Sequence, residues 1–212
     1  MKHYLAAVLT ACLLITPALA VTGSPEVSAP SAILMEKSTG TVLYELDSHT
    51  QYEPASVTKV MTLLLTFEAL DAGAITLDQM VTISAQAVSM GGSQIWLKEN
   101  EQMSVQDLLK AVTVVSANDG AVALAELIAG SESAFVERMN QRAQELGMTD
   151  TRFVNCTGLP AEGHVTTAYD IALMSRELVF NHPDIRDYST IWMDTLRDGA
   201  FQLSNTNKLI RF

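Results

Sequence analysis

The residues Pro54-Ala55-Ser56-Val57-Thr58-Lys59 lead into an apolar run, V-M-T-L-L-L-T-F-E-A-L, that ends at Leu70. The stretch from Val57 to Leu70 is long enough for about four helical turns and is apolar on nearly every side, which is typical of a helix buried in a core. Gly73 follows shortly after, where a helix C-terminus is expected. The sequence therefore predicts a central buried helix around which the other elements are arranged.

Ser56 occupies the position of a helix N-cap, and Lys59 follows three residues later. Residues three apart share a helix face, so the hydroxyl and the amine are predicted to be neighbours. Burial and the positive end of the helix dipole both disfavour the ammonium form and lower the pKa of such a lysine. A neutral lysine beside a serine hydroxyl is a base beside a nucleophile. The alternative is an N-cap serine with a surface lysine, since a four-residue pattern also arises by chance.

The composition excludes several classes of function. The formal net charge of the 212 residues is −11, which argues against nucleic-acid binding, since a phosphate backbone needs a basic face. There is no Gly-rich phosphate loop. The histidines are too scattered for a zinc site, and they are His3, His49, His164 and His182. We therefore predict neither a metal nor a cofactor.

Residues 1–20 are predicted to be a signal peptide. A short polar start precedes an apolar run too short to span a bilayer, and an Ala-Leu-Ala cleavage sequence ends at Ala20. The chain is therefore predicted to be exported, and residues 21–31, rich in Ser, Pro and Gly, to be a mobile leader. A rival interpretation is a lipoprotein cleavage sequence at Cys12. If Cys12 leaves with the signal peptide, Cys156 has no disulfide partner and is predicted to be a small buried side chain.

The mature sequence alternates hairpin and helix signals. Residues 32–37 and 41–46 flank Ser-Thr-Gly, and residues 191–196 and 200–203 flank Asp-Gly, so two antiparallel hairpins are predicted. Helices are predicted over residues 84–90, 105–115, 121–129, 132–146 and 167–180. Residues 74–83 are predicted to be a connecting segment. Helices and hairpins together predict an α+β fold.

A polar break, Ser116-Ala117-Asn118-Asp119-Gly120, separates two helices that are both predicted to be buried. Ser116 and Asn118 therefore need partners, either as caps of an ordinary helix–helix turn or as parts of a site. Gly91-Gly92-Ser93 precedes Gln94-Ile95-Trp96-Leu97, and these residues are predicted to be either an ordinary loop or the wall of a cleft. His164 is predicted to be a hydrogen-bonded structural histidine rather than a catalytic one.

Ser56-Val-Thr-Lys59 and Ser116-Ala117-Asn118 resemble two signatures of the penicillin-recognising serine enzymes, Ser-x-x-Lys and Ser-Asp-Asn. Longer stretches resemble the low-molecular-weight D-alanyl-D-alanine carboxypeptidases, namely residues 53–59, 91–97, 108–118, 158–174 and 192–209. The resemblance covers nearly all of residues 32–212. It identifies these residues as part of a carboxypeptidase catalytic domain. It implies a β-lactamase/transpeptidase-like α+β fold, with a helical subdomain packed on an antiparallel sheet.

The resemblance also implies the roles of the site residues. Ser56 would be the nucleophile and Lys59 its base; Ser116 would relay a proton to the leaving amine, and Asn118 would orient Lys59 or the peptide backbone. Ser56, Ser116 and Asn118 would also bind the substrate. That substrate would be a peptidoglycan stem peptide ending in D-Ala-D-Ala, reached on the cell-wall or periplasmic side of the membrane. β-Lactam antibiotics would be acylating inhibitors.

One departure from the family pattern affects these expectations. The third signature, Lys-Thr-Gly, is expected downstream of residues 205–208 and does not occur in the sequence. The resemblance therefore implies a truncated chain that lacks the C-terminal strands and helix, carries no membrane anchor and has impaired activity. Two alternatives stay open. One is a serine β-lactamase, although Ser-Ala-Asn replaces Ser-Asp-Asn, and the other is a non-catalytic wall-binding remnant.

Overall fold

The computed structural model describes residues 26–211, so the predicted signal peptide and the first part of the predicted leader lie outside the described residues. The helices are α1 (Lys59–Asp71), α2 (Ala85–Val88), α3 (Val105–Val115), α4 (Asn118–Ala129), α5 (Glu132–Glu145), α6 (Ala168–Asn181) and α7 (Ile185–Ser189), with short 3-10 turns at Ala55–Thr58 and Lys208–Arg211. The strands are β1 (Ala32–Met35), β2 (Val42–Leu46), β3 (Met80–Thr82), β4 (Gln102–Ser104), β5 (Met193–Leu196) and β6 (Phe201–Ser204). The predicted α+β class is confirmed.

Helix α1 is the centre of the core, as its apolar sequence predicts. Met61 and Leu64 are fully buried, and α1 packs against α3, α4, α5 and α6. Each such side chain contributes about 1.5–3 kcal/mol by leaving water. Thr62 and Thr66 are also buried, and Thr66 Oγ1 donates a hydrogen bond to the Thr62 carbonyl, 2.8 Å away. Polar hydroxyls are therefore tolerated in this helix because the backbone or a neighbouring segment accepts their hydrogen bonds.

The strands form three separate antiparallel pairs among residues 26–211, in place of the one sheet that was predicted. Both predicted hairpins are present as β1–β2 and β5–β6. The third pair, β3–β4, was missed, because strands of three residues are too short to show a periodic pattern. Within the described part of the chain, no helix is both long and apolar enough to cross a bilayer.

The boundaries of two helices differ from the predictions. Helix α4 begins at Asn118 rather than at residue 121, because Asn118-Asp119-Gly120 form its first turn. Helix α7 was not predicted; it lies in the segment between α6 and β5. Ser104 and Thr167 are the N-caps of α3 and α6, and each accepts a hydrogen bond from the backbone N–H group three residues on, at Asp107 and Asp170.

Arg142 joins three helices through its guanidinium group. Nε lies 2.7 Å from Glu68 Oε1 on α1, and Nη2 lies 2.7 Å from Glu177 Oε1 on α6. Nη1 lies 3.3 Å from Glu145 on the same helix as Arg142. The first two carboxylates are partly buried and, with His182, have oxygen or nitrogen atoms within 4.8 Å of one another. The guanidinium therefore offsets a repulsion that would otherwise separate α1 from α6.

We predict that Arg142→Ala lowers the free energy of unfolding by about 1–2 kcal/mol, since it removes charged hydrogen bonds and leaves two carboxylates facing each other. Urea unfolding at pH 7 measures the difference. Arg138→Ala is the matched control on the same helix, because Arg138 is exposed and, within residues 26–211, its side chain donates to the Ile128 carbonyl alone. Equal losses in the two variants would contradict the proposed role of Arg142.

Candidate active site

Ser56 and Lys59 lie beside each other where the 3-10 turn becomes helix α1. Lys59 Nζ is 3.3 Å from Ser56 Oγ, as the three-residue spacing predicts. Ser56 is exposed, whereas Lys59 is only 3% exposed. The alternative of a surface lysine is therefore excluded. The pair presents a hydroxyl to solvent with an amine buried directly behind it.

The prediction that Ser56 caps the helix is wrong. Ser56 lies within the 3-10 turn, and neither residue that precedes a helical segment here, Pro54 or Thr58, makes a side-chain cap. Ala55 has a left-handed backbone, with φ of +47°, which turns the chain so that Ser56 faces outward instead of toward the helix N–H groups. The Ser56 N–H donates no hydrogen bond to any group within residues 26–211. The Ser56 N–H is thus left for a ligand, while Ser56 Oγ lies beside Lys59 Nζ.

Lys59 is held by a backbone carbonyl rather than by a carboxylate. Its Nζ donates to the Thr157 carbonyl oxygen, 2.7 Å away. Burial lowers the pKa of Lys59 from 10.5 to about 8, against a smaller opposing effect of Cys156. Burial also raises the pKa of the Cys156 thiol well above 9.0, and this thiol donates to Glu132 Oε1 at 3.4 Å. Cys156 is therefore neutral near pH 8, and Lys59 is available as an amine.

The carbonyl that holds Lys59 belongs to a tight turn at residues 155–159. Asn155 Oδ1 accepts hydrogen bonds from the Thr157 N–H (3.1 Å), the Thr157 hydroxyl (3.1 Å) and the Gly158 N–H (2.7 Å). Asn155 Nδ2 donates to the Leu159 carbonyl at 2.8 Å. An Asn side chain that bonds the backbone two residues on is a recognised turn signal. The run Asn-Cys-Thr-Gly therefore carried evidence for this turn, although not for its contact with Lys59.

Gly158 brings this turn into direct contact with the backbone before Ser56. Its φ is +85°, and a Cβ placed there would lie 1.8 Å from the Ala55 carbonyl oxygen and 3.0 Å from the Ser56 nitrogen. Only glycine satisfies both the left-handed backbone and this close approach. The Ser56 peptide is thus supported from behind by the backbone of residue 158.

His164 is a structural residue, as predicted. The Val154 N–H donates to Nδ1 at 3.0 Å, so Nδ1 carries no proton, and Nε2 is 2.8 Å from Thr58 Oγ1. These contacts fix the neutral tautomer with the proton on Nε2. Burial lowers the pKa of His164, with an opposing contribution from Glu53. The ring therefore anchors the chain beside the 3-10 turn in its neutral form near neutral pH.

Ser116 and Asn118 lie at the junction of α3 and α4. Ser116 has a left-handed backbone (φ +59°), and its buried Oγ has no hydrogen-bond partner among residues 26–211. Asn118 Nδ2 donates to the Gly91 carbonyl and the Asn118 N–H donates to the Ser93 carbonyl, both at 2.7 Å. No hydrogen bond links Asn118 to Lys59 within the described residues. Asn118 thus holds the loop at residues 91–93, and Ser116 presents a buried hydroxyl that has no partner among the described residues.

The loop at residues 91–97 packs against helix α4 and the Asn155 turn. A Cβ on Gly92 would lie 2.9 Å from Asn118 Nδ2 and 3.6 Å from Leu159 Cδ2, so this loop, helix α4 and the Asn155 turn meet at one point. Gly158 of the same turn contacts Ala55 and Ser56. The contacts therefore connect Asn118 to the Ser56 region through two loops.

Asp119 was missed by the sequence reasoning because it lies in the predicted polar break. Its carboxylate is fully buried and accepts hydrogen bonds from the backbone N–H groups of Ile95 (3.1 Å), Leu97 (3.1 Å) and Gly120 (2.9 Å). Buried acidic groups are stable only with such donors. Asp119 therefore fixes the far end of the 91–97 loop, and it leaves Trp96 67% exposed between its two anchored neighbours.

The family profile described as D-alanyl-D-alanine carboxypeptidase matches residues 19–212. The chain is 48% identical over 187 residues to D-alanyl-D-alanine carboxypeptidase DacF of Bacillus subtilis (strain 168), an alignment that covers 87% of this chain and 48% of that protein. The chain thus spans about half the length of this curated relative.

Solved structures show the same fold. Penicillin binding protein 5 from Haemophilus influenzae superposes with a TM-score of 0.84 at 33% identity, covering 89% of this chain and 55% of that one. Penicillin-Binding Protein D2 from Listeria monocytogenes, in its ampicillin-bound form, gives a TM-score of 0.78 at 30% identity, covering 89% and 76% of the two chains. These similarities confirm the predicted fold and favour the carboxypeptidase prediction over both alternatives.

We predict that Gly158→Ala destabilises the protein by well over 2 kcal/mol, because the added methyl group overlaps the Ala55 carbonyl in addition to the roughly 1–2 kcal/mol cost of a left-handed alanine. Gly130→Ala is the matched control, since Gly130 has φ of +81° and open space around it. Thermal unfolding of both variants measures the difference. A loss at residue 158 no larger than that at residue 130 would contradict the contact described above.

Proposed function

Because the chain belongs to the D-alanyl-D-alanine carboxypeptidase family, we propose that it supplies the nucleophile and base of a serine-type D-Ala-D-Ala carboxypeptidase. The observation that carries the proposal is the 3.3 Å approach of an exposed Ser56 hydroxyl to a buried Lys59 amine. The substrate would be a peptidoglycan stem peptide that ends in D-Ala-D-Ala. Peptidoglycan lies outside the cytoplasm, which agrees with the predicted export of the chain.

The acylation step follows from the protonation state of Lys59. The neutral amine takes the proton of the Ser56 hydroxyl as Oγ attacks the carbonyl carbon of the penultimate D-alanine. The negative charge that develops on the carbonyl oxygen is stabilised by the Ser56 N–H, which would be one donor of an oxyanion hole. The tetrahedral intermediate thus forms with the proton held on Lys59.

Collapse of this intermediate breaks the C–N bond and leaves the shortened peptide as an ester on Ser56. The leaving amine of D-alanine needs a proton, and the buried Ser116 hydroxyl without a partner would relay one from Lys59. Water then hydrolyses the ester, with Lys59 again accepting a proton. Asn118 would bind the peptide backbone and keep the loop at residues 91–93 in place.

β-Lactam antibiotics would acylate the same serine, since the related Listeria protein has been solved in an ampicillin-bound form. The lifetime of the adduct separates the proposed function from the alternatives. A carboxypeptidase holds a long-lived penicilloyl ester, a serine β-lactamase turns penicillin over rapidly, and a binding remnant forms no ester.

We predict that a fluorescent penicillin labels the purified protein at Ser56 and that Ser56→Ala abolishes the labelling, because Ser56 carries the only hydroxyl group that is hydrogen-bonded to Lys59 Nζ within residues 26–211. Peptide mapping by mass spectrometry identifies the labelled residue. Ser89→Ala is the control, since Ser89 is an exposed serine whose hydroxyl donates to a backbone carbonyl. Labelling that survives in a folded Ser56→Ala protein would contradict the proposed nucleophile.

We also predict that the rate constant of acylation rises with pH and levels off above about 8. Lys59 acts as a base only when neutral, and burial lowers its pKa from 10.5 to about 8. Below that value the neutral fraction falls about tenfold per pH unit, so the rate should fall in parallel. Penicillin acylation followed from pH 6 to pH 9 measures this dependence.

Two variants test whether Lys59 is the group that titrates. Lys59→Arg retains the positive charge but cannot deprotonate, so it should lose acylation at every pH. Cys156→Ser removes the titratable group that acts on the pKa of Lys59 and should leave the midpoint almost unchanged, since the thiol is neutral in this range. A rate independent of pH, or a midpoint that disappears with Cys156, would refute Lys59 as the base.

A further inference from the structure

The turn at residues 155–159 is held closed by the side chain of one residue. Asn155 makes four hydrogen bonds, three through Oδ1 to Thr157 and Gly158 and one through Nδ2 to Leu159. Asn155 is partly buried and makes no hydrogen bond to Ser56 or Lys59 within residues 26–211. Any effect it has on the catalytic pair therefore passes through the turn.

The turn contacts the catalytic pair at two points, and each point is a backbone group that Asn155 holds. The Thr157 carbonyl accepts from Lys59 Nζ at 2.7 Å, while Asn155 binds the N–H of the same residue. Gly158 lies against the Ala55–Ser56 peptide, and its N–H makes the shortest of the four Asn155 bonds, 2.7 Å. One amide side chain thus fixes both the base and the nucleophile from behind.

We infer that Asn155 is a positioning residue for acylation, which places the Thr157 carbonyl on Lys59 Nζ and the Gly158 backbone behind Ser56. The inference rests on the proposed function and extends it to a residue outside the Ser-x-x-Lys and Ser-Ala-Asn motifs.

The chemistry needs a carbonyl at this place. A carbonyl oxygen accepts from the amine and from the ammonium alike, so Lys59 Nζ keeps one fixed contact while its proton count changes. With one N–H directed to Thr157, the lone pair of the neutral amine is free to face Ser56 Oγ. If the turn relaxes, Nζ loses this orientation and water reaches it, which both slows proton transfer and raises the pKa of the amine.

Among the residues that the structure describes, Cys156 is the one titratable group that acts on the pKa of Lys59. Cys156 on the turn is neutral near pH 8, and Glu132 on α5 lies behind it as the acceptor of its thiol. His164 is neutral and bonded to Thr58. A new carboxylate at residue 155 would therefore be a major added charge close to Lys59, and it would stabilise the ammonium form.

Two substitutions separate positioning from stability. Asn155→Ala removes all four hydrogen bonds and should slow penicillin acylation of Ser56 at least about tenfold at high pH, because the reacting groups lose their alignment. Asn155→Asp keeps the three acceptor bonds, so the rate at high pH should stay within about threefold of the parent protein, while the midpoint of the pH profile moves upward.

Asn140→Ala is the matched control. Asn140 is also a partly buried asparagine, and its side chain makes three hydrogen bonds, two of them to the backbone of Phe153 at 2.8 and 2.9 Å. It supports the same chain segment two residues before Asn155 but makes no bond to the turn. Its loss should lower the thermal stability and leave the acylation rate and the pH midpoint of the folded protein unchanged.

The measurement is the rate of Ser56 acylation between pH 6 and pH 10, with the melting temperature of each variant. The inference is overturned if Asn155→Ala and Asn140→Ala behave alike, or if Asn155→Asp leaves the midpoint where it is. The second criterion decides the matter if Asn155→Ala does not fold. Failure of the parent protein to form an adduct on Ser56 would instead refute the proposed function, so the two failures are distinguishable.

Discussion

The hydrogen bond from Lys59 Nζ to the Thr157 carbonyl is the interaction on which the site depends. It joins two residues that are 98 positions apart. Burying a lysine is costly, and a neutral carbonyl offsets that cost only in part, whereas a carboxylate would have kept the ammonium form. The fold therefore holds the amine in place and at the same time favours the loss of its proton.

Two further bonds extend this contact along α1 and the turn before it. The Thr58 hydroxyl bonds to His164 at 2.8 Å, and the Thr62 hydroxyl donates to the Cys156 carbonyl at 2.7 Å. Thr58 and Thr62 are fully buried, so their hydroxyls need these partners. The polar residues of an otherwise apolar helix thus serve to dock the segment at residues 154–164, and the apolar ones bind the helix into the core.

The sequence was informative wherever the interaction was local. The neighbourhood of Ser56 and Lys59 follows from spacing along a helix, and the burial of α1 follows from its composition. The cap assigned to Ser56 was wrong because Ala55 has a left-handed backbone, which is unusual for alanine and could not be predicted from its residue type. Asp119 looked like a loop residue, because its role as an acceptor for Ile95 and Leu97 depends on a segment 22–24 residues away.

The contacts of Thr157 with Lys59 and of Gly158 with Ala55 could not be predicted from the sequence for the same reason. Asn155 and Gly158 announce a turn, but nothing in either sequence segment states that this turn packs against Ala55. In a single sequence, the glycine itself is the main sign of a close approach between two backbone segments. Helix periodicity does not predict such a contact. Local chemistry was therefore predictable, and the supports of that chemistry required the structure.

The sequence distance across the Lys59–Thr157 bond also has a kinetic meaning. In an unfolded chain, a lysine is hydrated, has its ordinary pKa and gives the serine three residues away no activation. The low pKa arises only when residues 155–159 reach the start of α1, and long-range contacts of this kind slow folding because they carry a loop-closure cost. The Ser56 hydroxyl is thus inactive in the unfolded chain and becomes a nucleophile only after the two distant segments have come into contact.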